Sequence, residues 1–289
     1  MTVFIQGLRR SGTTILFDVL TTDNEIFGIY EPFSAGKKTI GGGSGARKED
    51  LTKTLREIRV NFLKENKNFN HKSFNRGSPT QFRKEVFNSK LTKFEYDYIK
   101  SLANVKNSYL KFTRASFIVK ELYGIDSHAK FIHIIKNPAL WVASHMLGKK
   151  NKFPNADAFF NCKTGFDNWS QERISNFYIK EKYPCHINKS AVFKLLLIWR
   201  DFNLEAEAAC VATFGSNYLK IFNDDLCTNT EAHMNKVYNF LEVRPNKKAI
   251  RWATNNISGP KKIMFQNDQR WRKYFDYLVI RKSFLDLSK

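Results

Sequence analysis

The stretch "GLRRSGTTIL" (residues 7–16) follows directly on the apolar run Val3-Phe4-Ile5, and its reading decides the fold. Residues 1–6 read as a buried strand. Ser11 or Gly12 then opens a helix, because Ile15, Leu16, Val19 and Leu20 recur at a spacing that lays one apolar stripe. Between strand and helix, Gly7-x-x-x-x-Gly12-Thr13-Thr14 has the two glycines and final hydroxyl of a phosphate-binding loop, but Thr13 stands where lysine is required. Such a strand-loop-helix still offers backbone N–H groups at a helix N-terminus, an intrinsic anion site. Arg9 and Arg10 add fixed positive charge beside it. Together these features suit a phosphate-type anion held without a metal.

Outward from this loop, strands alternate with helices. Residues 26–30 form a second short strand leading into "EPFS", "SYLKFT" (108–113) a third and "KFIHII" (130–135) a fourth, while "YLKIF" (218–222) follows a long apolar-periodic helix closed by Gly215. A helix is expected over "ASFIVKELYG" (115–124), another opening at Pro138 and another around "HMNKVYNFL". The pattern predicts an α/β protein with a central parallel sheet flanked by helices. Its 289 residues are read as a single domain, 1–289, interrupted by a basic helical insertion at about 36–108.

That insertion holds 17 Lys and Arg against 7 Asp and Glu, within a chain whose net charge is +21. So large a field implies an anionic ligand, polymer or membrane surface. Four widely spaced cysteines form no zinc pattern and read as free buried thiols. Neither a cleavable leader nor an apolar run of spanning length is evident, so a cytoplasmic protein is expected.

Two further motifs join the loop. Arg9-Arg10-Ser11-Gly12-Thr13-Thr14 matches [PR]-[KR]-S-G-[TS]-[TS], and "IIKNPALWVASHM" places Lys136-Asn137-Pro138 at a strand end with Ser144 eight residues after Lys136. In both respects the chain resembles the sulfotransferases that use 3′-phosphoadenosine 5′-phosphosulfate (PAPS), whose second element is R-[DN]-P with a serine eight residues on. Weaker resemblances are "FNDDL" (222–226) to the family's Y-E-D-L turn, and "SGPKK" (258–262) with Trp271-Arg272 to a late G-N-x-x-R…W-R stretch of bacterial and carbohydrate members.

The resemblance implies PAPS as sulfuryl donor, no metal, and an acceptor hydroxyl. It assigns the 5′-phosphosulfate to Arg9, Arg10, Ser11, Gly12, Thr13 and Thr14, and the 3′-phosphate to Lys136 and Ser144, with Lys262 a further cofactor-binding residue. Arg10 takes the catalytic-lysine position and Lys111 that of the lysine near the sulfuryl oxygens. Lys136 replaces the usual arginine and lacks its bidentate fork. Where small-molecule members carry a histidine two residues after that lysine, this chain has Thr113. Glu31, placed like the base of tyrosylprotein and some bacterial carbohydrate members, is therefore read as general base, with His128, His133 and His145 as alternatives. The implied acceptor is a carbohydrate-type hydroxyl, on an acidic oligosaccharide, glycolipid or peptide. Association with a membrane surface is open, and no specific nucleic acid is expected. Rival readings are a P-loop kinase or NTPase, and a basic module binding nucleic acid or membrane.

Overall fold

In the computed structural model, which describes residues 1–22, 25–33, 64–65, 87–146, 153–163, 169–257, 259 and 262–280 (169–175 by backbone alone), the first apolar run forms β1 (Val3–Gln6), buried at all four positions. It is the middle of a sheet in the order β2 (Phe27–Tyr30), β3 (Ser108–Phe112), β1, β4 (Lys130–Ile135), β5 (Tyr218–Phe222), with every neighbouring pair parallel. Burial on both faces explains why these strands read as nearly unbroken apolar runs. Gln6 stands in register with Phe112 on one side and His133 on the other, so β1 and β3 end level at one edge of the sheet, with β4 running two residues further.

The alternation of side chains along β1 sorts the helices into layers. Val3 and Ile5 face α1 (Thr13–Leu20), α9 (Thr230–Leu241) and α10 (Lys247–Asn256), whereas Phe4 faces α2 (Lys93–Ala103), α3 (Val119–Ile125) and the C-terminal half of α7 (Ala191–Phe214). The N-terminal half of α7 enters a third cluster with α4 (Pro138–Met146), α5 (Ala156–Phe160) and α11 (Gln269–Tyr277). This cluster takes in Leu8 and Ile135, just past β1 and at the tip of β4, and so lies at the carboxyl end of the sheet. At about 1.5 Å per residue α7 is long enough to serve both clusters. Ser190 caps its start and Gly215, at φ 52°, ends it. Two further helices are α6 (Trp169–Lys182) and α8 (Asn223–Thr228).

The central parallel sheet flanked by helices is as the sequence predicts. One helix start differs: α3 begins at Val119, not Ala115, because Gln6 captures the Ala115 N–H (2.9 Å) and the Ser116 hydroxyl (3.2 Å) and holds that segment in a loop. Most of the expected basic helical insertion, residues 34–63 and 66–86, lies outside the described residues. Within the basic segment, α2 packs Tyr98, Ile99 and Leu102 on the sheet as the crossover into β3. Of the four free cysteines only Cys210 is buried; Cys185 is exposed and Cys162 and Cys227 are partly so, since only Cys210 lies on the sheet-facing side of α7. Among the described residues no helix is long and apolar enough to cross a membrane.

Candidate active site

The loop after β1 is built around two close approaches. A Cβ on Gly7 would sit 2.5 Å from the Ile134 carbonyl oxygen, and one on Gly12 would drive into the Asn223 amide. Gly12 also has φ 88° and Arg10 has φ 75°, both in the left-handed region, where a side chain is costly. The turn closes with Ser11 N–H donating to the Leu8 carbonyl at 2.9 Å. The N-cap of α1 is Gly12, so no side chain caps the amides of its first turn. Beside them the Ser11 hydroxyl is buried with no hydrogen-bond partner among the described residues. A buried hydroxyl of this kind is costly unless a ligand engages it. The Arg9 carbonyl accepts from Trp141 Nε1 at 2.8 Å, which pins the loop to α4, while the Arg10 side chain is exposed. Open amides, an orphaned hydroxyl and two arginines fit a phosphate-type anion.

The ends of β2 and β3 form the next wall. Glu31 N–H donates to the Lys111 carbonyl at 2.9 Å, and the Glu31 backbone then turns through φ 47°. Its carboxylate is held at both oxygens: Lys111 Nζ is 2.5 Å from Oε1 and the Thr113 hydroxyl donates to Oε2 at 3.0 Å. Lys111 is 1% exposed and Glu31 20%. The ammonium also lies 4.1 Å from the centre of the Tyr30 ring, whose hydroxyl is 3.1 Å from Thr14 Oγ1. A continuous set of contacts thus runs from the first turn of α1 to Glu31.

On the other side, Lys136 follows the end of β4, half-buried, and its carbonyl accepts from Trp199 Nε1 at 2.8 Å. Asn137 caps α4, its Oδ1 accepting from the Ala139 and Leu140 amides at 2.9 and 3.2 Å. Its own N–H donates to Asp224 Oδ2 at 2.7 Å. Burial pushes the Asp224 carboxyl above its ordinary range, against the pull of that N–H and of Lys136. The Ser144 hydroxyl donates to the Trp141 carbonyl at 2.7 Å, so gripping a ligand there requires it to rotate.

No family model matches the sequence, and no curated protein matches it. Solved structures do. A sulfotransferase domain from the curacin biosynthetic pathway aligns with a TM-score of 0.51 over 96% of this chain and 97% of its own, at 12% identity. Sulfotransferase STF1 from Mycobacterium tuberculosis aligns with a TM-score of 0.50 over 89% of this chain and 71% of its own, at 13% identity. The chain has the sulfotransferase fold.

Within this sulfotransferase fold, Arg9, Arg10, Ser11, Gly12, Thr13 and Thr14 form one loop, and Glu31 and Lys111 meet at neighbouring strand ends. Lys136 lies past the next strand and Ser144 on α4. Lys262 is exposed, and among the described residues no hydrogen bond or ion pair joins it to the loop. The three histidines are placed differently from Glu31. His128 precedes β4 at the opposite end of the sheet, His133 is buried against Asn203 and Tyr218, and His145 lies against the Arg9 carbonyl. Thr113, where the resemblance shows only a missing histidine, is a ligand of Glu31. Asn223 also borders the loop at Gly12, and Asp224 holds Asn137; their signal is "FNDDL", a polar turn following a strand.

Proposed function

We propose that this chain transfers a sulfuryl group from PAPS to an acceptor hydroxyl of carbohydrate type. The observation that supports it most is an uncapped, arginine-flanked loop with an orphaned buried hydroxyl, joined through Tyr30 to a carboxylate held by Lys111 and Thr113. When bound, PAPS supplies the activated sulfuryl group and leaves as 3′-phosphoadenosine 5′-phosphate. Arg9, Ser11, Gly12, Thr13 and Thr14 hold its 5′-phosphate, Lys136 and Ser144 its 3′-phosphate, and Lys262 is a further cofactor-binding residue. Arg10 and Lys111 stabilise the negative charge that grows on the departing oxygens. Glu31 takes the proton of the acceptor hydroxyl on its carboxylate, each oxygen of which keeps one lone pair after Lys111 and Thr113 are satisfied. None of these roles requires a metal.

Mass spectrometry tests the reading: the purified protein is incubated with PAPS and a panel of oligosaccharide, glycolipid, peptide and phenol acceptors. Sulfation of a carbohydrate hydroxyl, with release of 3′-phosphoadenosine 5′-phosphate, is the expected result. Sulfation of phenols alone overturns the acceptor class. Turnover of ATP with Mg²⁺ and no sulfation of any acceptor overturns the reaction.

A further inference from the structure

Residues 243–267 hold six Lys and Arg and no Asp or Glu. The helix α10 carries the middle of this stretch. Its Ala249, Ile250 and Ala253 are buried, packed with α1 and α9, which fixes the opposite side outward. There Lys247 and Arg251 stand one helical turn apart, as do Lys248 and Trp252, with Arg244 just ahead of the helix. All five are exposed, Trp252 by 39%. None of the four cations has an ion-pair partner among the described residues.

Among the described residues of α10, Trp252 is the large hydrophobic left exposed, and it is set among these cations. Trp among Lys and Arg is the composition of a membrane interface, where the ring settles at headgroup level and the cations meet anionic lipid. Shape points the same way. A single-stranded nucleic acid is gripped in a charged groove that tracks its backbone, whereas the outer side of one helix can lie flat on a broad surface.

We propose that the outer face of α10 docks this protein on an anionic lipid surface, with Arg244, Lys247, Lys248 and Arg251 meeting the headgroups and Trp252 entering between them. Docking of this kind is independent of the transfer reaction.

The test is co-sedimentation of the full chain with vesicles of phosphatidylcholine alone or mixed with phosphatidylglycerol. Binding is expected to the mixed vesicles only. The triple change Lys247→Glu, Lys248→Glu, Arg251→Glu should lower partitioning by about tenfold or more, and Trp252→Ala by about threefold. An equal charge change at the exposed Lys100, Lys106 and Lys120, on the α2 and α3 side, should lower it by less than about threefold. If the triple variant fails to fold, as judged by circular dichroism, Lys248→Gln with Arg251→Gln carries the same comparison with a smaller loss. Equal losses from the two triple changes, or full binding by Trp252→Ala, overturn the proposal. So does stronger binding to duplex DNA or an acidic polysaccharide than to the mixed vesicles, which would make the face a polyanion site.

Discussion

A lysine as enclosed as Lys111 needs a counter-charge, and Glu31 supplies it at 2.5 Å. The pair therefore links stability to chemistry. Glu31→Gln should lower single-turnover rate by about a hundredfold or more if the carboxylate accepts the acceptor proton. It should also destabilise the fold by about 3 kcal/mol, the low end for breaking a buried pair, because it leaves the Lys111 cation unmatched. Adding Lys111→Met should restore the thermal midpoint but not the rate. A Glu31→Gln enzyme with normal turnover would remove the base from Glu31. His133 gives a second prediction at this scale. Burial pulls its imidazole pKa down to about 4, a shift partly opposed by the hydrogen bond with Asn203. The unfolded chain takes up this proton near pH 6.5 and the folded chain only near 4, so His133 favours the folded state fully above 6.5 and progressively less as pH falls between these values. The loss is about 3 kcal/mol. Denaturant titrations across that window should show it, and His133→Gln should flatten the slope; an unchanged slope would assign the acid loss to other groups.

At the scale of elements, local chemistry was most readable where it is self-contained. The long helix α7 is legible from its apolar period and from Gly215 at its end, while the Ser190 cap emerges in the folded chain. The helix α2 is less so, lying in a Lys-rich segment whose net charge draws attention from its pattern. Its signal is Thr92-x-x-Glu95: the Thr92 hydroxyl accepts from Glu95 N–H at 3.2 Å and the Glu95 carboxylate accepts from Thr92 N–H at 2.9 Å. Thr92→Ala should cost about 1 kcal/mol, read as a lower denaturant midpoint at constant slope, while Thr92→Ser should cost little. No loss would mean that burial of Tyr98, Ile99 and Leu102 alone holds the helix. The start of α3 was not legible, because what keeps Ala115 out of the helix is Gln6, more than a hundred residues earlier.

For the whole molecule the same distinction holds. Strand-loop-helix units announce themselves locally, but the order β2-β3-β1-β4-β5 is a matter of long-range pairing that no short window contains. That order brings Glu31 and Lys111 together across 80 residues, and Asn223 against Gly12 across more than 200. The glycine-framed turn between β1 and α1 was thus readable, while the Thr113 contact and the Asp224 bond to Asn137 emerge only in the folded chain. The central claim, that the loop and its neighbours select a 3′-phosphorylated nucleotide without metal, is tested most directly by ligand-induced thermal stabilisation. A ligand that binds only the folded state adds about 2.7 kcal/mol at a hundredfold excess over its Kd. With 3′-phosphoadenosine 5′-phosphate in the absence of divalent ions, the melting midpoint should rise more than with ATP and Mg²⁺ at the same concentration. In Lys136→Ala, the advantage over the nucleotide lacking its 3′-phosphate should shrink. An equal or larger rise with ATP and Mg²⁺ would contradict the claim and return the loop to the nucleoside triphosphatases.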